Sequence, residues 1–218
     1  MARRRVAVLI SGRGSNLQAL LKAAVDQSYP AEIALVISNR ADAQGLLRAQ
    51  EYNVPTLVID HKGFATREDF DAALTKALRR AKIDLICLAG FMRVLSAGFI
   101  AEWPDQILNI HPSLLPAFRG LNVQAQALAA GVKLSGCTVH IVRPALDDGP
   151  IIAQAAVPVL AGDDVEKLTA RILAAEHQLY PAALALIASK TAVVRGDRVE
   201  ISADFQGLPP KTLFYFPI

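Results

Sequence analysis

The amino-acid sequence predicts an α/β fold: a Rossmann-like parallel sheet flanked by helices that continues into a mixed sheet. Three observations carry this. In the first half, short β-branched runs alternate with longer segments of helical periodicity, the order expected of βαβ units. In the second half two strand-like runs follow one another before one long helix. With 218 residues, 53% hydrophobic and 20% charged, the chain has an ordinary globular composition and is long enough to bury a sizeable core. A single domain over 1–218 is expected, with a phosphate- and nucleotide-binding-like half at 1–110 passing without a linker into 111–218.

Each element has its own warrant. Residues 6–10 form a β-branched run that ends at Ser11-Gly12, and a helix follows from about Ser15. Residues 33–38 and 54–59 repeat the pattern, with helices from about Asp42 and after Thr66. Thr66 and Asp69 stand in capping-box spacing ahead of Phe70, Leu74 and Leu78, whose recurrence marks one buried stripe. The near-continuous apolar run at 83–88 reads as a central strand, because burial on both faces removes the polar alternation. A strand at 106–110 leads into His111-Pro112-Ser113-Leu114-Leu115-Pro116, where two prolines enforce a stiff, non-helical path. Beyond it a helix is expected at 122–130, strands at 137–142 and 151–159, and a long helix capped by Asp163 or Asp164 and running to about Ser189. A hairpin turns at Gly196-Asp197, and an extended tail is expected at 208–218.

Composition also limits function. The formal net charge is +3, and Arg3, Arg4 and Arg5 account for it, so the body of the chain is balanced and nucleic-acid binding is not expected. The apolar stretch after these arginines is too short for a signal peptide, and no run approaches the roughly 18 residues of a membrane span. A cytoplasmic protein with no membrane partner is expected. Cys87 and Cys137 lie in apolar strand-like segments, as reduced, buried thiols would.

Three segments could carry chemistry. The turn Ser11-Gly12-Arg13-Gly14-Ser15-Asn16 opens a helix, where free backbone N–H groups suit an anion. It is not a Walker A loop, because no Gly-Lys-Ser/Thr follows. The dinucleotide pattern fails at Leu17, and Ser38-Asn39-Arg40 lacks the acidic residue that binds an NAD ribose. The turn is therefore either a plain tight turn or a phosphate site for a ligand other than NAD. Alternation along the strand puts Asn109 and His111 on one face at the C-terminal edge of the sheet. An amide donor beside an imidazole could hold an oxyanion while the imidazole transfers a proton, as acyl or formyl transfer needs. A satisfied histidine at a strand end is the other reading. Asp147-Asp148 in Leu146-Asp147-Asp148-Gly149-Pro150 are either solvated turn residues or supply a carboxylate that folds back to orient His111 and keep it protonated. His61, at the surface, and His140 and His177 are weaker candidates, and no histidine has metal-ligand spacing, so no metal is expected.

These segments, in this order and together with Leu88-Ala89-Gly90-Phe91-Met92-Arg93-Val94-Leu95, resemble the phosphoribosylglycinamide formyltransferases, folate-dependent enzymes of purine synthesis. The resemblance runs from about residue 5 to about 189. The elements Asn109-Ile110-His111-Pro112-Ser113 and Leu146-Asp147-Asp148-Gly149-Pro150 are shared by the wider formyltransferase group, whereas the glycine loop looks specific to enzymes acting on 5'-phosphoribosylglycinamide (GAR). The resemblance implies a formyltransferase fold and a single reaction. The formyl group of 10-formyltetrahydrofolate, a cosubstrate, passes to the GAR amine without a metal. It further implies that Gly14, Ser15 and Asn16 bind the GAR phosphate and that Glu176 meets the GAR amine or ribose. Arg67, Met92, Arg93, Val94, Leu95 and Asn109 would contact the folate, and 111–218 is expected to be the folate and catalytic half. Asn109 and His111 would stabilise the oxyanion, with Asp147 tuning His111. Both substrates are small molecules, and the resemblance leaves open a monomer or a homodimer.

The sequence departs from the family pattern at three places. Asn122-Val123-Gln124 lacks the histidine common there, and Leu173 replaces a polar residue near the GAR ribose. A glycine is common where Asp148 stands. None of these touches Asn109, His111 or Asp147, so altered substrate affinity is expected, with the chemistry retained. Competing readings are a 10-formyltetrahydrofolate hydrolase, a formyltransferase for another amine, and a non-catalytic nucleotide-binding module. A hydrolase has no use for a phosphate loop, and a non-catalytic module has none for the Asn109, His111 and Asp147 set.

Overall fold

The computed structural model describes residues 2–202, so the tail expected at 208–218 lies outside the described residues. One sheet contains β1 (Arg4–Ile10), β2 (Ala31–Ser38), β3 (Thr56–Val58), β4 (Leu85–Leu88), β5 (Ile107–His111), β6 (Leu134–Ile141) and β7 (Ile151–Pro158). Their order is β3-β2-β1-β4-β5-β6-β7. The first five run parallel, and β6 and β7 join antiparallel, which is the expected mixed sheet. A separate hairpin pairs β8 (Ala192–Arg195) with β9 (Arg198–Ile201).

Helices cover both faces. One face buries Leu17, Leu20 and Leu21 of α1 (Ser15–Ala24), Leu46 and Ala49 of α2 (Gly45–Glu51), and Tyr180, Ala183 and Leu184 of α6 (Val165–Ala188) against Val6, Val8 and Ile10. The other buries the Phe70, Leu74, Leu78 stripe of α3 (Arg67–Arg80) and Phe99 and Ile100 of α4 (Ala97–Glu102) against Ala7, Leu9 and Ile86. Thr66 caps α3 as its spacing to Asp69 suggests: its hydroxyl accepts the Asp69 N–H and donates to Asp69 Oδ2 at 2.6 Å. Asp164 caps α6 by accepting from Lys167 N at 2.7 Å. The remaining helix, α5 (Val123–Ala129), precedes β6.

Several boundaries move, each for a local reason. The second helix begins at Gly45 and not at Asp42, because Asp42 is paired with Arg40 and the Gly45 N–H is drawn to the Gly12 carbonyl at 3.0 Å. The strand expected at 54–59 contracts to three edge residues. Helix α4 escapes a periodicity reading, since six residues capped by Ser96 are too few to repeat a pattern. Strand β6 starts at Leu134, earlier than its apolar run suggests.

The order places β1 and β4 side by side at the point where the chain reverses its direction of travel across the sheet, where open α/β sheets bind ligands. The loops that leave β1, β4 and β5 therefore meet at one edge. Tyr180 of α6 ties this edge together: it is fully buried, with its hydroxyl 3.0 Å from the carbonyls of both Leu88 and Leu108.

Candidate active site

The loop after β1 turns through Gly14 at φ 72° into α1. A Cβ at Gly14 would lie 2.6 Å from Gly45 Cα, so the loop and the start of α2 approach as closely as two glycines allow. Arg48 of α2 reaches back to the Arg13 carbonyl at 2.9 Å. The first N–H groups of α1 have no intrahelical acceptor, the condition under which a helix start can take an anion. Asn16 turns inward, and its Nδ2 donates to Glu176 Oε2 at 2.6 Å, while Asn16 Oδ1 is buried without a partner. Burial pushes the Glu176 carboxyl above its ordinary value, and the bond from Asn16 opposes this. The structure thus brings Gly14, Ser15, Asn16 and Glu176 together.

At the end of β5, His111 is 5% exposed. Its Nε2 lies 2.9 Å from the Phe118 carbonyl, and its Nδ1 lies 3.5 Å from Asp147 Oδ2. Both ring nitrogens thus face oxygen acceptors, which fixes the orientation of the ring. Asp147 reaches it from a turn in which its own φ is 49°, and the Gly120 N–H donates to the same Oδ2 at 2.9 Å. Gly149 makes this turn possible, since a Cβ there would fall 1.7 Å from the Ile141 carbonyl oxygen. Asp147 is therefore no solvated turn residue: its side chain is 8% exposed. Asp148 points outward and pairs with Arg119.

The structure adds a residue that the sequence reading set aside. His140 lies opposite Asn109 across the β5–β6 ladder, with its Nε2 3.2 Å from Asn109 Nδ2 and 3.9 Å from Asp147 Oδ1. The alternation Thr138, His140 along β6 was the available signal. It needed the register of the pairing, which no local pattern states. Thr138 has its own task, accepting from Leu115 N at 3.0 Å and donating to the Ser113 carbonyl at 2.7 Å, which secures the proline-bounded loop.

The segment after β4 is fastened at both ends. The Met92 N–H donates to Ser11 Oγ at 2.8 Å, and the Ser96 N–H donates to the buried Asp71 at 2.7 Å. Ser11 in turn donates to Asn39 at 2.6 Å. Met92, Arg93 and Val94 are exposed at the edge, whereas the Leu95 side chain belongs to the core, leaving its main chain as the part able to meet a ligand. Phe70, one turn along α3 from exposed Arg67, stacks on Phe91, which sets the start of α3 beside this segment. His61, expected at the surface, is instead half-buried, with its Nδ1 3.2 Å from Asn39 Nδ2. Both cysteines are free and buried, and burial pushes each thiol up to about 12. Among the described residues no cluster of three or more His, Cys, Asp or Glu could hold a metal ion, and no helix is long and apolar enough to cross a membrane.

An amide, a buried imidazole–carboxylate pair and a glycine-loop helix start lie around one sheet edge, and these are the kinds of donor that transfer through a tetrahedral oxyanion requires. Residues 4–184 match the formyl transferase family, and the chain belongs to it. It is 40% identical over 206 residues to the phosphoribosylglycinamide formyltransferase of Escherichia coli, covering 94% of this chain and 96% of that protein. The trifunctional purine biosynthetic protein adenosine-3 of Drosophila melanogaster is 58% identical over 194 residues, which cover 88% of this chain but only 14% of that much longer protein. The glycinamide ribonucleotide transformylase 1 structure from Symbiobacterium toebii superposes with a TM-score of 0.89 at 52% identity, covering 91% of this chain and 94% of that one.

Proposed function

We propose that this protein transfers the formyl group of 10-formyltetrahydrofolate to the amine of GAR in purine biosynthesis. The observation that carries the reading is the buried His111–Asp147 pair beside Asn109, at the same edge as the glycine loop. The GAR phosphate takes the N–H groups of Gly14, Ser15 and Asn16, with Glu176 toward the amine or ribose. The folate lies along Met92, Arg93, Val94 and Leu95, with Arg67 and Asn109 as further contacts.

The GAR amine attacks the formyl carbon, and a C–N bond forms as the carbonyl π pair moves onto oxygen. Asn109 Nδ2–H donates to that oxygen, and His111 Nε2–H joins it by leaving the Phe118 carbonyl that it faces at 2.9 Å, while Asp147 holds the imidazole at Nδ1. The amine nitrogen loses a proton, the oxyanion pair re-forms the carbonyl as the bond from carbon to the folate nitrogen breaks, and that nitrogen takes a proton. Aligning two bound substrates and stabilising one oxyanion are sufficient for this chemistry. We place the reaction in the cytoplasm, carried out by one unit over 1–218 acting as a monomer or homodimer on small molecules, without nucleic acid.

The test follows the absorbance change as 10-formyltetrahydrofolate loses its formyl group, with and without GAR. Turnover that requires GAR is the expected result. Release without GAR would point to a hydrolase, and a folded protein inert in both conditions would overturn the reading.

A further inference from the structure

His140 is 2% exposed and takes no part in the transfer as described. Its Nδ1 lies 3.0 Å from the carbonyl oxygen of Ile141. A carbonyl only accepts, so Nδ1 carries the proton and Nε2 presents a lone pair. That lone pair faces the Asn109 amide at 3.2 Å. Only the NH2 end of the amide can meet it, because Oδ1 in that place would set lone pair against lone pair. Burial is the largest influence on this imidazole and pushes it below its ordinary value toward the neutral form. The Ile141 carbonyl and Asp147 oppose that push, and His111 assists it. The titratable groups facing His140 are thus Asp147 and His111.

We infer that His140 is a positioning residue for the transfer centre. As a neutral Nδ1–H imidazole it accepts one N–H of Asn109 and so fixes the amide with its second N–H as a donor of set direction. The inference rests on Asn109 acting as an oxyanion donor. Protonation of Nε2 would remove the acceptor and reverse the amide. It would also place a cation 3.9 Å from Asp147 Oδ1, in competition with His111 for that carboxylate. Neutral His140 therefore keeps both Asn109 and Asp147 in their roles, although it touches no substrate.

Two measurements on the whole protein test this. Nitrogen-15 NMR of the four imidazoles reads the tautomer directly: protonated Nδ1 and bare Nε2 at His140 are expected, and the opposite tautomer overturns the proposal. Steady-state kinetics then compare His140→Leu, which has no acceptor, with His140→Gln, whose Oε1 can accept the Asn109 N–H. The leucine variant is expected to lose kcat by about tenfold to a hundredfold with little change in either KM, below the roughly 10²–10³-fold loss from deleting an oxyanion donor outright. The glutamine variant should recover most of that loss. In an Asn109→Ala background the leucine change should have little further effect, since it acts through Asn109. Fully multiplicative losses, or a glutamine variant no better than leucine, would overturn the role. Wild-type protein without GAR-dependent turnover would overturn the transferase reading and the catalytic role of His140 with it, while the NMR result still decides the tautomer.

Discussion

The two ends of the site are built on opposite principles. Around His111, polar groups are satisfied by the protein itself: the Phe118 carbonyl, Asp147, the Gly120 N–H and the Asn109–His140 pair close the network. At the glycine loop, groups are left open. The first N–H groups of α1 have no intrahelical acceptor, Asn16 Oδ1 is buried unpartnered, and Glu176 is buried with one neutral donor. On the proposed function the difference separates two tasks. A centre that stabilises a fleeting charge has to be oriented before the substrate arrives, whereas a binding end gains affinity by completing its hydrogen bonds with the ligand.

Substitutions at the two ends should therefore fail in different kinetic parameters. The largest effect is expected at the satisfied end. His111→Ala and Asp147→Asn should each lower kcat by about 10²–10³-fold in a folded protein, and the double variant should lose far less than the product because the two act as a unit. Near-normal turnover of either purified variant would break the comparison. Next, Gly14→Ala should act on binding. Its Cβ would meet Gly45 Cα at 2.6 Å and its φ is 72°, so displacement of the loop should raise the GAR KM about tenfold, or roughly 1.4 kcal/mol, while kcat for bound substrate changes little. A change confined to kcat would contradict the assignment of the loop to phosphate binding.

Glu176→Gln sharpens the comparison through pH. Because the folded carboxyl titrates above its ordinary value of 4.5, the folded protein holds this proton longer than the unfolded chain does. Below 4.5 both states are protonated and the burial carries no penalty. As pH rises past that value the unfolded chain ionises first, and stability falls until the pH passes the raised folded value. The glutamine variant removes this term and keeps an acceptor for Asn16. Its thermal midpoint should gain on the wild type as pH rises from acidic to neutral, and a difference that stays constant with pH would show that Glu176 is not penalised by burial. The smallest effect is expected at the α6 cap. Asp164→Ala should cost about 1 kcal/mol of stability and leave kcat unchanged, since the cap lies far along α6 from Glu176.

Much of the fold was legible because its signals are local. The β-branched runs, the Thr66 cap, the Phe70, Leu74, Leu78 stripe and the apolar central strand each depend on a few neighbouring residues. Elements too short to repeat a period, such as α4 and β3, were missed or overextended. The site divides in the same way. The glycine loop and the Asn109, His111 alternation can be read along the chain, and the resemblance to formyltransferases supplied the partner for His111. His140 was set aside because a histidine in an apolar alternation looks the same whether it is buried filler or an acceptor for the residue opposite.

By itself, then, the sequence determined the alternation of elements, the caps, the position of the loop glycines after β1 and the strand face that holds Asn109 and His111. These follow from sterics and hydrogen bonding within a few residues. Only the tertiary structure decided that Asp147 reaches His111, that His140 stands across from Asn109, and that Asn16 meets Glu176 from 160 residues away. Those contacts depend on the register of an antiparallel pair and on the seat of α6 against the sheet, which are set by burying many side chains at once.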